Sequence, residues 1–247
     1  MSNYDNQATR YSTSVDAQSA IDQGLRAYML RVYNYMALGL VLTGVTAYVV
    51  ANTSVGALFY TQTTTGFGMT VLGWIAFIAP IGLVFLLSFG IQRMSAGTAQ
   101  LVFWIYAGLM GISLATIFFA YTMTSITQVF FISAATFGAM SLYGYTTKAD
   151  LSRFGSFLFM GLIGIVLASI VNIFIGSTAL GFAISIIGVL VFVGLTAYDT
   201  QKIKEMYDVN DDGTVSGRKA IMGALSLYLD FINLFLMMLR LFGSQRD

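Results

Sequence analysis

Long apolar runs separated by short polar segments dominate the chain after its first 27 residues. These runs are predicted to be helical spans at 33–52, 69–90, 99–121, 126–145, 156–176, 180–199 and 221–242. A helix of roughly 20 residues crosses the hydrocarbon core of a bilayer, which is about 30 Å thick. The pattern therefore predicts an all-α, polytopic membrane protein with seven transmembrane helices.

The hydrophobic pattern divides the chain into two predicted regions. Residues 1–27 are polar and mixed in charge, and no apolar segment follows a basic start. They are therefore expected to form a disordered cytoplasmic tail, not a cleaved signal peptide. Residues 28–247 are expected to form the seven-helix transmembrane domain. The linkers between spans are short, so neighbouring helices should pack antiparallel, with a tight turn at 122–125.

Composition supports the membrane class and removes several kinds of chemistry. The chain is 57% hydrophobic and 9% charged, whereas soluble proteins carry roughly 25% charged residues. It contains neither Cys nor His, which excludes thiol and Ser–His catalysis and leaves no usual zinc site. A net charge of +1 gives no reason to expect a nucleic-acid partner.

Basic residues are distributed unevenly between the predicted loops. The segments 53–68, 122–125 and 177–179 contain no Lys or Arg. The tail and the other loops contain ten: Arg10, Arg26, Arg31, Arg93, Lys148, Arg153, Lys202, Lys204, Arg218 and Lys219. The positive-inside rule therefore predicts a cytoplasmic N-terminus. A seventh full crossing would place Arg240 and Arg246 outside. A re-entrant last segment is the alternative, and full crossing is preferred.

The last predicted span contains a carboxylate, Asp230, near its middle. An ionised acid at that depth costs several kcal/mol unless it is paired, protonated or hydrated. Ser226, Asp230, Asn233 and Met237 share one helical face, which should point into the bundle or a water-filled cavity. Ser226 and Asn233, with Asn172 of the fifth span, are therefore candidate pore-lining residues. The alternative is that Asp230 is a protonated packing residue.

A second acid, Asp199, lies near the cytoplasmic end of the sixth predicted span. Counting along the two apolar runs places it at a different depth from Asp230. Contact would require the sixth helix to sit deeper or the seventh helix to start lower. Two carboxylates in one poorly solvated site cannot both ionise cheaply, so a contacting pair should share a proton. Losing that proton would favour opening, and the freed oxygens could bind a divalent cation weakly.

Three motifs resemble the Bax inhibitor family, in particular its bacterial branch. They are LYGYTTKADLS at 142–152, VFVGLTAYDTQKIK at 191–204 and LSLYLDFINLFLMMLRLFG at 225–243. The resemblance extends over nearly all of the chain after residue 25. It implies seven helices with the seventh buried at the centre of the other six.

The resemblance also carries expectations about function. It implies a pH-sensitive calcium leak governed by an aspartate pair, which corresponds to Asp199 and Asp230. A basic residue near the cytoplasmic end of the second helix belongs to the family's latch, and Arg93 lies close to that place. A simple anchoring role for Arg93 at the membrane surface is equally consistent with the sequence.

The linker 208–217 reads DVNDDGTVSG and partly matches a calcium-binding EF-hand loop. Asp208, Asn210 and Asp212 occupy its first, third and fifth positions. Lys219 stands at the twelfth, where the bidentate glutamate is needed. A solvated turn is therefore preferred over a calcium site.

These observations predict a passive, pH-sensitive calcium leak in a bacterial inner membrane, with no enzymatic activity and no resident cofactor. The expected partners are the bilayer, calcium and protons. One alternative is a non-conducting regulator of a membrane-anchored ATP-dependent protease, contacted through the tail. Another is an intramembrane aspartyl protease, which the Tyr198–Asp199 pair would suit. The sequence before Asp230 lacks the Gly-x-Gly of that family.

Overall fold

The computed structural model describes residues 2–63 and 66–246, with side chains described for 21–61 and 68–246. The helices are α1 (Ser2–Asn52), α2 (Val71–Gly90), α3 (Ala96–Leu114), α4 (Thr116–Ala120), α5 (Met123–Thr146), α6 (Ser152–Ile175), α7 (Thr178–Glu205) and α8 (Gly213–Phe242). Short 3-10 turns occupy Ser54–Leu58 and Ile91–Arg93. In this described part, seven helical segments are long and apolar enough to cross a membrane, with α3 and α4 together forming one. The predicted number and class of spans are confirmed.

The last helix, α8, lies at the centre of the bundle. In its most apolar stretch 72% of the residues are buried, compared with at most 33% in the other spans. It packs against α1, α3, α5 and α7, while α2 lies against α3, and α6 packs mainly on α7. The central position implied by the family resemblance is therefore confirmed.

The ends of α7 and α8 differ from the predicted spans. The helix α7 continues past residue 199 to Glu205, and α8 begins at Gly213, eight residues before the predicted start. Lysines near the end of α7 were interpreted as loop charges, but Lys204 remains helical and its Nζ donates to the carbonyl of Tyr145 at 2.9 Å. Long basic side chains can reach polar groups while their stems stay on the helix. Because both helices extend beyond the predicted spans, the depths of Asp199 and Asp230 in the bundle differ from those counted along the apolar runs.

Close packing between helices depends on several of the small residues in the spans. Gly111, Gly161, Gly188 and Gly194 each lie against a neighbouring helix so closely that a Cβ would collide, whereas Gly108 and Gly164 face open space. Small residues allow helices in a bilayer to approach and gain dispersion energy. Glycine packing therefore sets the mutual positions of α6, α7 and α8.

The second helix contains the single proline of the chain, Pro80. Proline has no N–H, so the carbonyl four residues earlier, that of Ala76, loses its helical partner. Ser113 of α3 supplies the missing donor, with its Oγ 3.0 Å from the Ala76 oxygen. A neighbouring helix thus satisfies a backbone group that lipid could not.

The two ends of α8 lie at different ends of the bundle. Near the start of α8, Arg218 donates to the carbonyl of Gln92 in the turn after α2. Beyond its far end, the N–H of Thr122 donates to the carbonyl of Ser244 at 3.1 Å. The single helix α8 therefore runs through the whole bundle, and the re-entrant alternative is wrong. We call the end with the 91–95, 147–151 and 206–212 connections the basic end, and the other the opposite end.

Two further features concern the predicted loops and tail. The segment 53–68, expected to be a plain loop, contains a two-stranded antiparallel hairpin of β1 (Tyr60–Thr63) and β2 (Gly66–Met69). Side chains of residues 2–20 lie outside the described set, and the helical backbone of α1 passes through the predicted boundary at residue 27 without a break. The disordered tail stays a prediction.

Candidate functional site

A cavity of about 500 Å³ lies between α6, α7 and α8 near the basic end. Most of its polar lining comes from α7 and α8, and α6 contributes one serine. The residues with polar side chains or charges are Ser156, Tyr198, Asp199, Lys202, Ser226, Asp230 and Asn233. Apolar walls come from Phe159, Leu162, Phe192, Leu195 and Leu229. We call this space the first cavity.

Asp230 is the buried acid of this cavity. Its side chain belongs to a residue only 5% exposed, and Oδ2 has no hydrogen-bond partner among the described residues. It interacts electrostatically with Asp199, which faces it from α7. The structure therefore brings the two predicted acids together. Their role in gating stays a prediction.

The register of α7 against α8 explains this meeting. Gly223 lies against Ile203, and Gly188 lies against Met237, so Asp199 is level with residues 226–227, about one turn from Asp230. In any helix the Cα–Cβ bond tilts toward the N-terminus. Because α7 and α8 are antiparallel, each carboxyl leans toward the level of the other. The late end of α7 and the early start of α8 make this register possible.

Asp199 is less buried than Asp230 and has a basic neighbour. Lys202, one turn later on α7, attracts the Asp199 carboxyl. Its Nζ lies 5.8 Å from the centroid of the Tyr198 ring. No salt bridge joins Lys202 to either acid in the described chain. The sequence analysis counted Lys202 among the loop charges, although its three-residue spacing from Asp199 is the signal that places both on one helical face.

The other candidate residues are divided between different places. Ser226 and Asn233 line the first cavity with the two acids, and Asn233 also donates to the carbonyl of Leu229 at 2.8 Å. Asn172 lies near the opposite end, where its Oδ1 accepts from the N–H of Ser177 at 3.1 Å. It lies in the last turn of α6, away from the aspartate pair, and its pore-lining role stays a prediction.

Arg93 is exposed and does not line the first cavity. It belongs to the short turn after α2. A different arginine makes the contact with this turn, because Arg218 of α8 donates to the Gln92 carbonyl at 2.6 Å. A latch role for Arg93 stays a prediction, and sequence reasoning missed the contact of Arg218.

The linker before α8 is a hydrogen-bonded turn. Asp208 Oδ1 accepts from the backbone N–H and the side-chain amide of Asn210, and these bonds lower the pKa of Asp208. Asp212 Oδ1 accepts from the Val215 N–H at 2.7 Å and caps α8. Lys219 forms an ion pair with Asp211. Local hydrogen bonds thus account for the residues that resembled a calcium loop.

The ionisable groups that line the first cavity are two carboxyls, one ammonium and the phenol of Tyr198. Within the described residues, no cluster of three or more His, Cys, Asp or Glu side chains could hold a metal ion. Calcium normally takes six or more oxygen ligands. Asp199 and Asp230 could therefore contribute oxygens to a passing cation more readily than hold one as a resident metal.

The fold and the cavity define a polytopic α-helical membrane protein whose central helix carries a buried acid beside a second one. A family model described as inhibitor of apoptosis-promoting Bax1 matches residues 25–247. The chain belongs to the Bax inhibitor family, as the motifs indicated.

Bacterial relatives match this chain over most of their length. The inner membrane protein YbhL of Escherichia coli K12 is 51% identical over 226 residues, which cover 90% of this chain and 94% of the relative. Protein RP147 of Rickettsia prowazekii is 49% identical over 239 residues, covering 97% and 98%. A Caulobacter vibrioides protein is 44% identical over 245 residues, covering 96% and 97%.

Proposed function

We propose that this protein is a passive, proton-controlled pathway for cations, with calcium as the expected ion. The observation that carries the proposal is that Asp230 of the central helix is buried beside Asp199 in the first cavity. Intramembrane acids are expensive to keep and are functional candidates by default. Two of them on adjacent helices form an element whose charge depends on pH.

The proposed control rests on one shared proton. With the proton present, the pair carries one negative charge and holds α7 and α8 together. Without it, both acids carry like charges, and unit charges a few ångströms apart repel by roughly 3–4 kcal/mol at an effective dielectric constant near 20. A difference of this size shifts a two-state equilibrium by about a hundredfold.

Few other ionisable groups line the first cavity among the described residues. Lys202 and Tyr198 lie on α7, and the α6 residues that line the cavity have no ionisable side chains. Lys202 carries the one positive charge among the described residues that line the first cavity. Proton loss favours opening, and cation flux is therefore expected to rise as pH increases through the titration of the pair.

The same proposal includes location and partners. The basic loops share one end of the bundle, which supports the proposal that this end and the N-terminus face the cytoplasm. The printed name of the Escherichia coli relative describes an inner membrane protein, and the same membrane is proposed here. The bilayer, protons and calcium are the proposed partners, without a resident cofactor or a catalysed reaction.

Calcium flux in proteoliposomes tests this function. Full-length wild type, Asp230→Asn and Ser226→Ala would be reconstituted at equal density, and calcium entry followed with an enclosed dye from pH 5 to pH 8. Wild-type flux should rise severalfold with pH, and Asp230→Asn should lose that dependence. Ser226→Ala removes a polar group from the same cavity without changing its charge, so it should retain the pH response.

Two outcomes would count against the proposal. Equal flux from wild type and Asp230→Asn at every pH would remove the gating role of the pair. Absence of flux at any pH would favour the non-conducting protease regulator predicted as the alternative. Deleting residues 2–25 then separates the two functions, because a regulator acting through its tail should lose its effect while a channel should still conduct.

A further inference from the structure

A second cavity, of about 600 Å³, lies between the same three helices at the opposite end. Ser169 and Asn172 of α6, Ser185 of α7 and Arg240 of α8 contribute polar groups to its lining. The two cavities thus occupy one groove formed by α6, α7 and α8, which we call the seam. On α8 they are separated by the stretch from Asn233 to Arg240, a rise of about 10 Å.

Helical periodicity identifies the residues that separate the cavities. The seam face of α8 passes from Asn233 through Met237 to Arg240. On α7 it passes from Phe192 through residue 188 to Ser185, and on α6 from Leu162 through residue 165 to Ser169. Steps of three or four residues keep one face of a helix. The intervening layer therefore consists of Ile165, Gly188 and Met237.

Glycine contacts show that these three residues stand at one level. Gly161 lies against Val191, and Gly194 lies against Leu158, which sets Gly188 level with residue 164 of α6, next to Ile165. Gly188 itself lies against Met237, where a Cβ would meet the methionine Cγ and Sδ. Ile165 and Met237 belong to the same buried apolar cluster.

The layer is one residue deep on each helix, and its two large side chains are buried. Ile165 is 5% exposed and Met237 is 8% exposed, while polar groups line the space on either side. Ile165 is the one large side chain that α6 buries within the described residues. A single apolar layer between two polar spaces stops ions by excluding water, and it yields when the layer widens by a small amount.

We propose that the seam is the route across the bundle and that Ile165, Gly188 and Met237 close it as an apolar seal. The proposal rests on the proposed function and adds the path and the barrier. The aspartate pair lies at the basic-end side of this seal, on the two helices that also supply Gly188 and Met237. Separating α7 from α8 at the acids would therefore also separate the two surfaces of the seal.

Cysteine accessibility tests the path without requiring calcium flux. The chain contains no cysteine, so Asn233→Cys and Ser169→Cys each introduce a sole thiol on one side of the seal. A membrane-impermeant thiol reagent would be added to membrane vesicles of either orientation. Asn233→Cys should react at least tenfold faster from the side of the basic loops, and Ser169→Cys at least tenfold faster from the other side.

Truncating the methionine tests the seal itself. Met237→Ala, combined with either cysteine, should allow labelling from both sides and should raise the calcium leak at least fivefold at all pH values. Met238→Ala is the matched control, because the neighbouring methionine loses the same atoms but faces α5, where its Sδ accepts from Ser133 Oγ at 3.2 Å. Met237→Val is a milder change that can be used if the alanine variant does not fold. Its calcium leak and two-sided labelling should exceed those of wild type, but by less than is expected for alanine.

The outcomes separate this inference from the proposed function. Equal behaviour of Met237→Ala and Met238→Ala, or no change from wild type in either Met237 variant, overturns the seal. Reaction of the two cysteines only with a lipid-soluble reagent overturns the water-accessible path, and the seam is then a groove for lipid. If wild type conducts no calcium but the one-sided labelling and its loss in Met237→Ala are observed, the proposed function fails while the path and seal stand.

Discussion

The helices α6 and α8 are both long enough to cross a bilayer, yet they show opposite relations between composition and burial. The stretch in α6 is the most apolar of the seven and the least buried, at 6%. In α8 the corresponding stretch contains Asp230 and Asn233 and is 72% buried. In water the most apolar helix would be the most buried. In a bilayer lipid covers apolar side chains, so polar groups mark the interior instead.

The largest difference in stability is expected when one leucine is truncated on each helix. Leu227 of α8 is fully buried and Leu167 of α6 is 58% exposed. Leu227→Ala leaves a cavity in packed protein and should lower the free energy of unfolding by about 2–5 kcal/mol. Leu167→Ala loses contact mainly with lipid and should change it by about 0.5 kcal/mol or less.

Reversible unfolding of the purified protein in mixed micelles, followed by helical circular dichroism, would measure both changes. Equal destabilisation by the two variants would mean that α6 packs against protein in the membrane, for example in an oligomer. It would then remove the inference that lipid covers α6.

Part of this contrast between α6 and α8 could be predicted from the sequence. The number of spans follows from the length of apolar runs, which a bilayer of fixed thickness selects. The polar face containing Ser226, Asp230 and Asn233 indicated that α8 turns inward. Its central position was implied by the family resemblance, because periodicity alone does not say how many helices surround a given one.

The ends of α7 and α8 could not be obtained from hydropathy. Lys202 and Lys204 end the apolar run of α7 but not its helix, since basic side chains can extend along the surface toward polar groups. The predicted depth mismatch between Asp199 and Asp230 came from those two helix ends. The level of Asn172 along the bundle could not be predicted for a related reason. A polar residue in a span indicates an interior, but not the level at which that interior opens.

The starts of the two helices offer a second, smaller test. Asp212 caps α8 through its Oδ1, whereas α6 starts after Leu151 without a side-chain cap. Asp212→Ala should lower the free energy of unfolding by about 1 kcal/mol, and Asp212→Asn should restore most of it because asparagine caps equally well. Thermal unfolding of both variants would check this. If the asparagine variant lost as much as alanine, the charge of Asp212, and not its hydrogen bond, would be the stabilising feature.

The smallest expected effect comes from a hydrogen bond that ties α8 to α1. The hydroxyl of buried Tyr228 lies 2.7 Å from Thr43 Oγ1, and Thr43 also donates to the carbonyl of Ala107 at 2.8 Å. Tyr228→Phe removes one bond but leaves Thr43 with the other, and bonds between membrane helices average about 0.6 kcal/mol. The loss should therefore be of that order, with Tyr143→Phe, at a 48% exposed tyrosine of α5, as the matched control. A loss several times larger would mean that the interior of this bundle is held by its polar contacts more than by packing, and the contrast between α6 and α8 would then reflect hydrogen bonding as much as apolar burial.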